Sequence, residues 1–323
     1  MTSLFRRWLP ILLGLAAIAL AIVAVAKDRH RVADAMSAIG PGALSASALM
    51  AVLSVLVVLP LWQCVLRGLD ADVPLLVAAR VFFPSQLGKY LPGALWPALA
   101  QMEFGRRRGI SPRRMLAANA LMLVISLVVG LAVAAACLPA SSAEAMRRYW
   151  WTFLFVPLLL VLLIPRAIPG AIDWLFARIG REPLDARLPV ADTLRAGGWS
   201  LVNWLALGAH VYLLARPFGA SDGQALLAAV GGAALAVCAG ILFIPAPAGA
   251  GIRDAVLVAS LAPGIGTAHA LAVALLSRAT LIGVDLLLAA LASLLPTSPS
   301  TQQPPVDDRA CAVGNQADGQ PHD

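Results

Sequence analysis

The sequence predicts an all-α fold, a polytopic transmembrane helix bundle of about seven spans with two further re-entrant segments of broken helix. Three observations carry this. First, 60% of the 323 residues are apolar and only 13% are charged, and mean hydropathy is +0.83. A soluble domain has roughly 45–50% apolar and about 25% charged residues. Second, the apolar runs are long and continuous, as at residues 154–164 and 286–295. A membrane-spanning backbone must satisfy its own hydrogen bonds, which leaves helices or closed barrels. Barrel strands alternate apolar with polar, and these runs do not. Third, two apolar segments are so interrupted by proline and glycine that neither forms a simple span.

The chain opens Phe5-Arg6-Arg7-Trp8 and is then apolar to Ala26. A signal peptide starts similarly, but the run is long for one and more spans follow, so a retained first helix is expected. Arg6 and Arg7 then place the N-terminus in the cytoplasm. The second span covers residues 43–66 and contains Pro60, which predicts a kink. The third covers 115–138. The fourth covers 150–164, with Tyr149, Trp150 and Trp151 as an interfacial aromatic belt. The fifth, sixth and last cover 199–215, 225–244 and 268–295. Gly232, Ala236 and Gly240 form a small-residue stripe suited to helix packing.

Arginine concentrates in two loops, one with Arg106, Arg107, Arg108, Arg113 and Arg114, the other with Arg166, Arg178, Arg181, Arg187 and Arg195. The positive-inside rule makes both cytoplasmic. Lys27, Arg29 and Arg31 are the exception to this asymmetry. The second loop could hold an interfacial helix, since Ile172, Leu175, Phe176 and Ile179 have helical spacing. The expected setting is a plasma membrane. Residues 1–295 form the membrane domain, and 296–323 are too polar to bury a core and are expected to be a disordered tail.

The net charge of +7 does not indicate nucleic acid, which calls for a soluble basic domain. Cys64, Cys137, Cys238 and Cys311 show no paired spacing, and the four histidines are scattered, so neither a disulfide framework nor a metal site is indicated. There is no Walker phosphate loop and no local Ser-His-Asp or Cys-His arrangement. The expectation is a protein that is not an enzyme and takes no cofactor.

Function is read from the broken segments. The first contains Pro84-Ser85-Gln86-Leu87-Gly88-Lys89-Tyr90-Leu91-Pro92-Gly93-Ala94-Leu95-Trp96-Pro97. Interior proline costs about 3 kcal/mol in a helix, and a lysine at mid-bilayer about 2.5–3.5 kcal/mol. Two half-helices joined by unwound backbone inside the protein answer both costs. The second reads Pro245-Ala246-Pro247-Ala248-Gly249-Ala250-Gly251-Ile252-Arg253-Asp254, followed by an apolar stretch too short to cross. Pro84, Gly88, Pro92, Gly93, Pro245, Pro247, Gly249 and Gly251 are the predicted hinges. Paired broken helices meet at the substrate site in repeat-built transporters, and half-helix N-termini favour anions. Lys89 and Arg253 would suit a phosphate or another acidic headgroup. The plainer alternative is two interfacial loops whose cations snorkel to lipid phosphates. Arg278 lies inside the last span, where an arginine marks a functional site by default. Asp285, two turns on, shares its face, and Arg278 could instead pair with Asp254.

The Pro84 to Trp96 stretch, followed by Arg106 to Ser111, resembles the signature of the lysylphosphatidylglycerol synthase transmembrane-region family. The Pro245 to Asp254 segment resembles that family's second Pro/Gly motif, and Arg278 matches its arginine in the last span. The resemblance covers about residues 5–295. It departs at Arg253-Asp254, where the family usually has Arg-Glu, and at residues 117–124, where Asn119 stands in place of an acid. The resemblance implies a flippase-like protein without the soluble aminoacyl-transferase domain of full synthases. It would bind an anionic or modified phospholipid, or a lipid-linked headgroup, and move it between leaflets. Gln86, Lys89, Tyr90, Trp96, Arg253, Asp254 and Arg278 are the candidate substrate-binding residues. Membrane phospholipids are the expected partners. The alternative is a non-catalytic partner of a separate lipid-modifying transferase or glycosyltransferase.

Overall fold

The computed structural model describes residues 29–90, 96–155, 170, 178, 188–220, 222–242 and 251–295. Among them the regular structure is entirely helical. Four stretches are long and apolar enough to cross a membrane: Ser37–Gly68, Pro112–Ser141, Gly223–Leu242 and Thr267–Ser293. They correspond to the predicted second, third, sixth and last spans. The predicted first span, most of the fourth, all of the interfacial helix at 172–179 but Arg178, and the polar tail lie outside the described residues.

Helix α1, Arg29–Leu56, breaks at Gly40 (φ 74°) and restarts at Pro41. Proline suits a first helical turn, where its missing N–H has no partner to lose. Helix α2, Val58–Gly68, continues the same span after an interruption at Val57. The cause is Pro60, which removes the donor to the Leu56 carbonyl and crowds that turn. Helix α3, Leu75–Gln86, runs through Pro84 and passes into a 3₁₀ turn at Leu87–Tyr90. The hinge expected at Pro84 therefore falls at Leu87, because the proline ring strains the turn before it while the chain ahead stays helical for two more residues. Helix α4 is Trp96–Arg106.

Helices α3 and α4 have 12 and 11 residues, about 18 and 16 Å of rise, so neither crosses a 30 Å hydrocarbon layer. They form an antiparallel hairpin. Gln101 Nε2 donates to Ser85 Oγ at 2.9 Å, and Gly88 lies against Trp96 and Pro97. A Cβ on Gly88 would sit 2.8 Å from the Trp96 Cβ and 3.0 Å from the Pro97 nitrogen. Gly88→Val should therefore force the hairpin apart and cost about 1–3 kcal/mol. A lowered melting temperature of the detergent-solubilised protein checks this.

After α4, Arg106 and Arg107 each reach Glu103, at 3.1 and 3.2 Å, and Gly109 (φ 73°) turns the chain. The Ser111 hydroxyl caps helix α5, Pro112–Ser141, by accepting from Arg114 N at 3.2 Å. A short helix α6, Ala143–Tyr149, and a 3₁₀ turn, Trp150–Phe155, follow. Helix α7, Val190–Ala215, begins nine residues before the predicted fifth span. Helix α8 is Gly223–Leu242, α9 is Ile252–Ile265 and α10 is Thr267–Ser293.

Helix α8 packs on α5, α7 and α9, and α10 packs on α1, α3 and α9. Small residues permit this closeness. A Cβ on Gly208 would meet the Val230 backbone, one on Gly231 would meet Leu138, and one on Gly232 would meet Ser260. Gly232, Ala236 and Gly240 are all buried, and Gly232 carries the α8–α9 contact. Between helices in lipid, close van der Waals packing of this kind replaces the hydrophobic drive. Leu49, Leu201, Leu287 and Leu291 project outward, as lipid-facing side chains do.

Candidate functional site: a charged cluster inside the bundle

Helices α9 and α10 are antiparallel about Gly266 (φ 79°). Asp254 and Arg278 each lie twelve residues from that glycine, about 18 Å along their helices. Arg278 Nη1 meets Asp254 Oδ2 at 2.5 Å, with the two side chains 21% and 20% exposed. The same carboxylate accepts the Gly251 N–H at 3.2 Å. Gly251 has φ 86° and caps α9. Asp254 thus ends an orphan donor, complements the helix dipole and neutralises Arg278. At 14 residues, α9 is about 21 Å long, a half-helix whose N-terminus opens at the ion pair.

The first broken segment reaches the same helix. Lys89 Nζ lies 2.7 Å from Asp285 Oδ2, and Tyr90 donates its hydroxyl to that oxygen at 2.5 Å. Asp285 is 3% exposed, and its other oxygen, Oδ1, has no hydrogen-bond partner. It sits seven residues beyond Arg278, about 10 Å, on the interior face of α10. The described ends of the two broken segments therefore converge on one helix, two turns apart.

Arg253, in the first turn of α9, is within electrostatic reach of Tyr90, Asp254, Asp285 and Arg278. It forms no hydrogen bond or ion pair with any described residue. The cluster holds three cations (Lys89, Arg253, Arg278) against two carboxylates (Asp254, Asp285), a net +1. Two of the cations are matched, and Arg253 is the unmatched one. Such an array can receive an anionic group without removing an existing pair.

The predicted site residues separate by role. Lys89, Tyr90, Arg253, Asp254 and Arg278 are brought together. Trp96 opens α4 and packs against Gly88, where it shapes the hairpin. Gln86 ends α3, half-buried, and makes no hydrogen bond to the cluster. Gly88 and Gly251 act as a close-approach point and a left-handed helix cap. Pro92, Gly93, Pro245, Pro247 and Gly249 lie outside the described residues. Asn119 bonds Met115 O of its own helix at 2.9 Å.

Two contributors escaped the residue reading. Asp285 was legible only as a neighbour of Arg278, although an acid within an apolar span carries the same signal. His210 is fully buried on α7. Its Nδ1 lies 2.7 Å from Ser47 Oγ and 3.0 Å from Ser47 O, and its Nε2 lies 3.0 Å from Ser277 Oγ. It pins α1 and α7 to the turn of α10 that bears Arg278. Its alanine variant leaves buried Ser277 without its partner, takes one of the two bonds of the Ser47 hydroxyl and opens a cavity, so it should lose about 3 kcal/mol of stability. A fall in melting temperature with secondary structure retained checks this.

Helices long and apolar enough to cross a membrane, packed around a charged cluster, define a polytopic membrane protein. The sequence comparison agrees. Residues 11–289 match the model of the lysylphosphatidylglycerol synthase transmembrane region, so the chain belongs to that family. Comparison with curated proteins returns no match.

Proposed function

We propose that this protein binds a lipid with an anionic or modified headgroup and moves that headgroup between leaflets. The observation that carries the reading is the unmatched Arg253 at a half-helix N-terminus, within a cluster assembled from both broken segments. A helix N-terminus favours an anion through its free N–H groups and dipole. A guanidinium adds a fixed pair of donors suited to phosphate. On this reading the α3–α4 hairpin and the half-helix α9 enter the bundle without crossing it, and the cluster lies near mid-depth. A centre there is equally placed for headgroups arriving from either leaflet, as alternating access about a fixed site needs. The inner membrane of a prokaryote, with a cytoplasmic N-terminus, is the setting we propose, and no covalent chemistry is assigned to the chain.

The test is reconstitution into vesicles carrying fluorescent phospholipids, with dithionite quenching of the outer leaflet. Faster exposure of inner-leaflet lipid than in empty vesicles is the expected result. Rates equal to empty vesicles across anionic, zwitterionic and lipid-linked headgroups would sink the proposal.

A further inference from the structure

We infer that Asp285 selects headgroups that carry an N–H or O–H donor beside their phosphate. This rests on the lipid-handling reading and adds the class of headgroup to it. Asp285 is buried, and both donors near it, Lys89 and Tyr90, are committed to Oδ2. Oδ1 is buried and accepts nothing. Buried polar atoms without a partner are rare, and each asks for an explanation.

The other unmatched group in the cluster is of the opposite kind. Arg253 has donors and no acceptor among the described residues. One acceptor without a donor and one donor set without an acceptor therefore stand in one charged cluster. Asp285 is about 10 Å along α10 from Arg278, whose partner Asp254 directly follows Arg253. A single ligand that answers both groups needs an anionic end for Arg253 and a donor for Asp285. A bare phosphate leaves Oδ1 unmatched. A quaternary ammonium brings charge but no N–H. A phosphate diester bearing a primary ammonium or a hydroxyl satisfies both ends.

The measurement is equilibrium binding of lipid to the purified full-length protein. Two charge-matched pairs are used: phosphatidylethanolamine against phosphatidylcholine, and phosphatidylglycerol against phosphatidylmethanol. The donor-bearing member of each pair should bind about tenfold more tightly, the usual worth of a hydrogen bond to a charged group. Asp285→Leu should bring both ratios close to one, whereas Arg253→Gln should weaken all four lipids alike. Equal binding within both pairs in the wild type overturns the inference and leaves lipid binding intact. Binding of none of the four overturns the lipid-handling reading itself. Should the leucine variant not fold, the wild-type ratios alone decide.

Discussion

Arg278→Ala should lower the melting temperature of the solubilised protein by several degrees. The substitution leaves the Asp254 carboxylate with the Gly251 N–H as its one remaining hydrogen-bond donor among the described residues. Breaking a buried pair by removing one partner typically costs about 3–5 kcal/mol, because an uncompensated charge remains. Side chains about one-fifth exposed place this pair at the lower end, about 3 kcal/mol. Asp254→Ala should cost more, since it also removes the cap of α9, worth about a further 1 kcal/mol. The decisive comparison is the double variant. If the pair acts as a unit, removing both residues should cost less than the sum of the single changes by 1 kcal/mol or more. Strict additivity would mean that the two groups do not support each other.

The contrast between that pair and the rest of the fold shows what the sequence made legible. The long spans were readable because lipid demands continuous apolar helix, and residues 112–141, 223–242 and 267–293 met that demand on composition alone. The broken segments were readable for the complementary reason, since Pro84, Gly88, Lys89 and Gly251 are each costly in a lipid-facing helix. Boundaries were less so. Helix α7 starts at Val190 and runs through Gly197 and Gly198, whereas two adjacent glycines read as part of a loop. The partnerships were least legible. Lys89 and Asp285 are 196 positions apart, and only the docking of α3 on α10 decides that they meet. Ser47, His210 and Ser277 are ordinary residues one at a time, and their network exists only because three helices cross there. The Arg278–Asp254 pair was within reach of the sequence. The stretch between the two is short enough for a helical hairpin, and both charges fall at equal distances from its turn.

Arg253→Gln should slow lipid movement roughly ten- to a hundredfold while leaving the fold as stable as before or more so. The two halves of that statement have one cause. Arg253 forms no ion pair or hydrogen bond with any described residue, so its removal breaks no pair, and an unpaired cation within a membrane bundle is a cost to the ligand-free protein. Glutamine keeps most of the side-chain volume and two donors but gives up the charge and the fork that grips a phosphate. A charge-assisted contact of this kind is worth about 1.5–3 kcal/mol, so headgroup binding should weaken roughly ten- to a hundredfold, with the exposure rate in vesicles falling in step. Arg253→Lys separates charge from geometry: partial rescue indicates that a point charge suffices, and none indicates that the bidentate fork is needed. The readout that a purely structural arginine would not give is the opposite movement of two quantities, melting temperature held or raised while transport falls. A variant that lost both together would place Arg253 among the groups that hold the bundle shut, and the unmatched charge would then have to be explained as part of the fold.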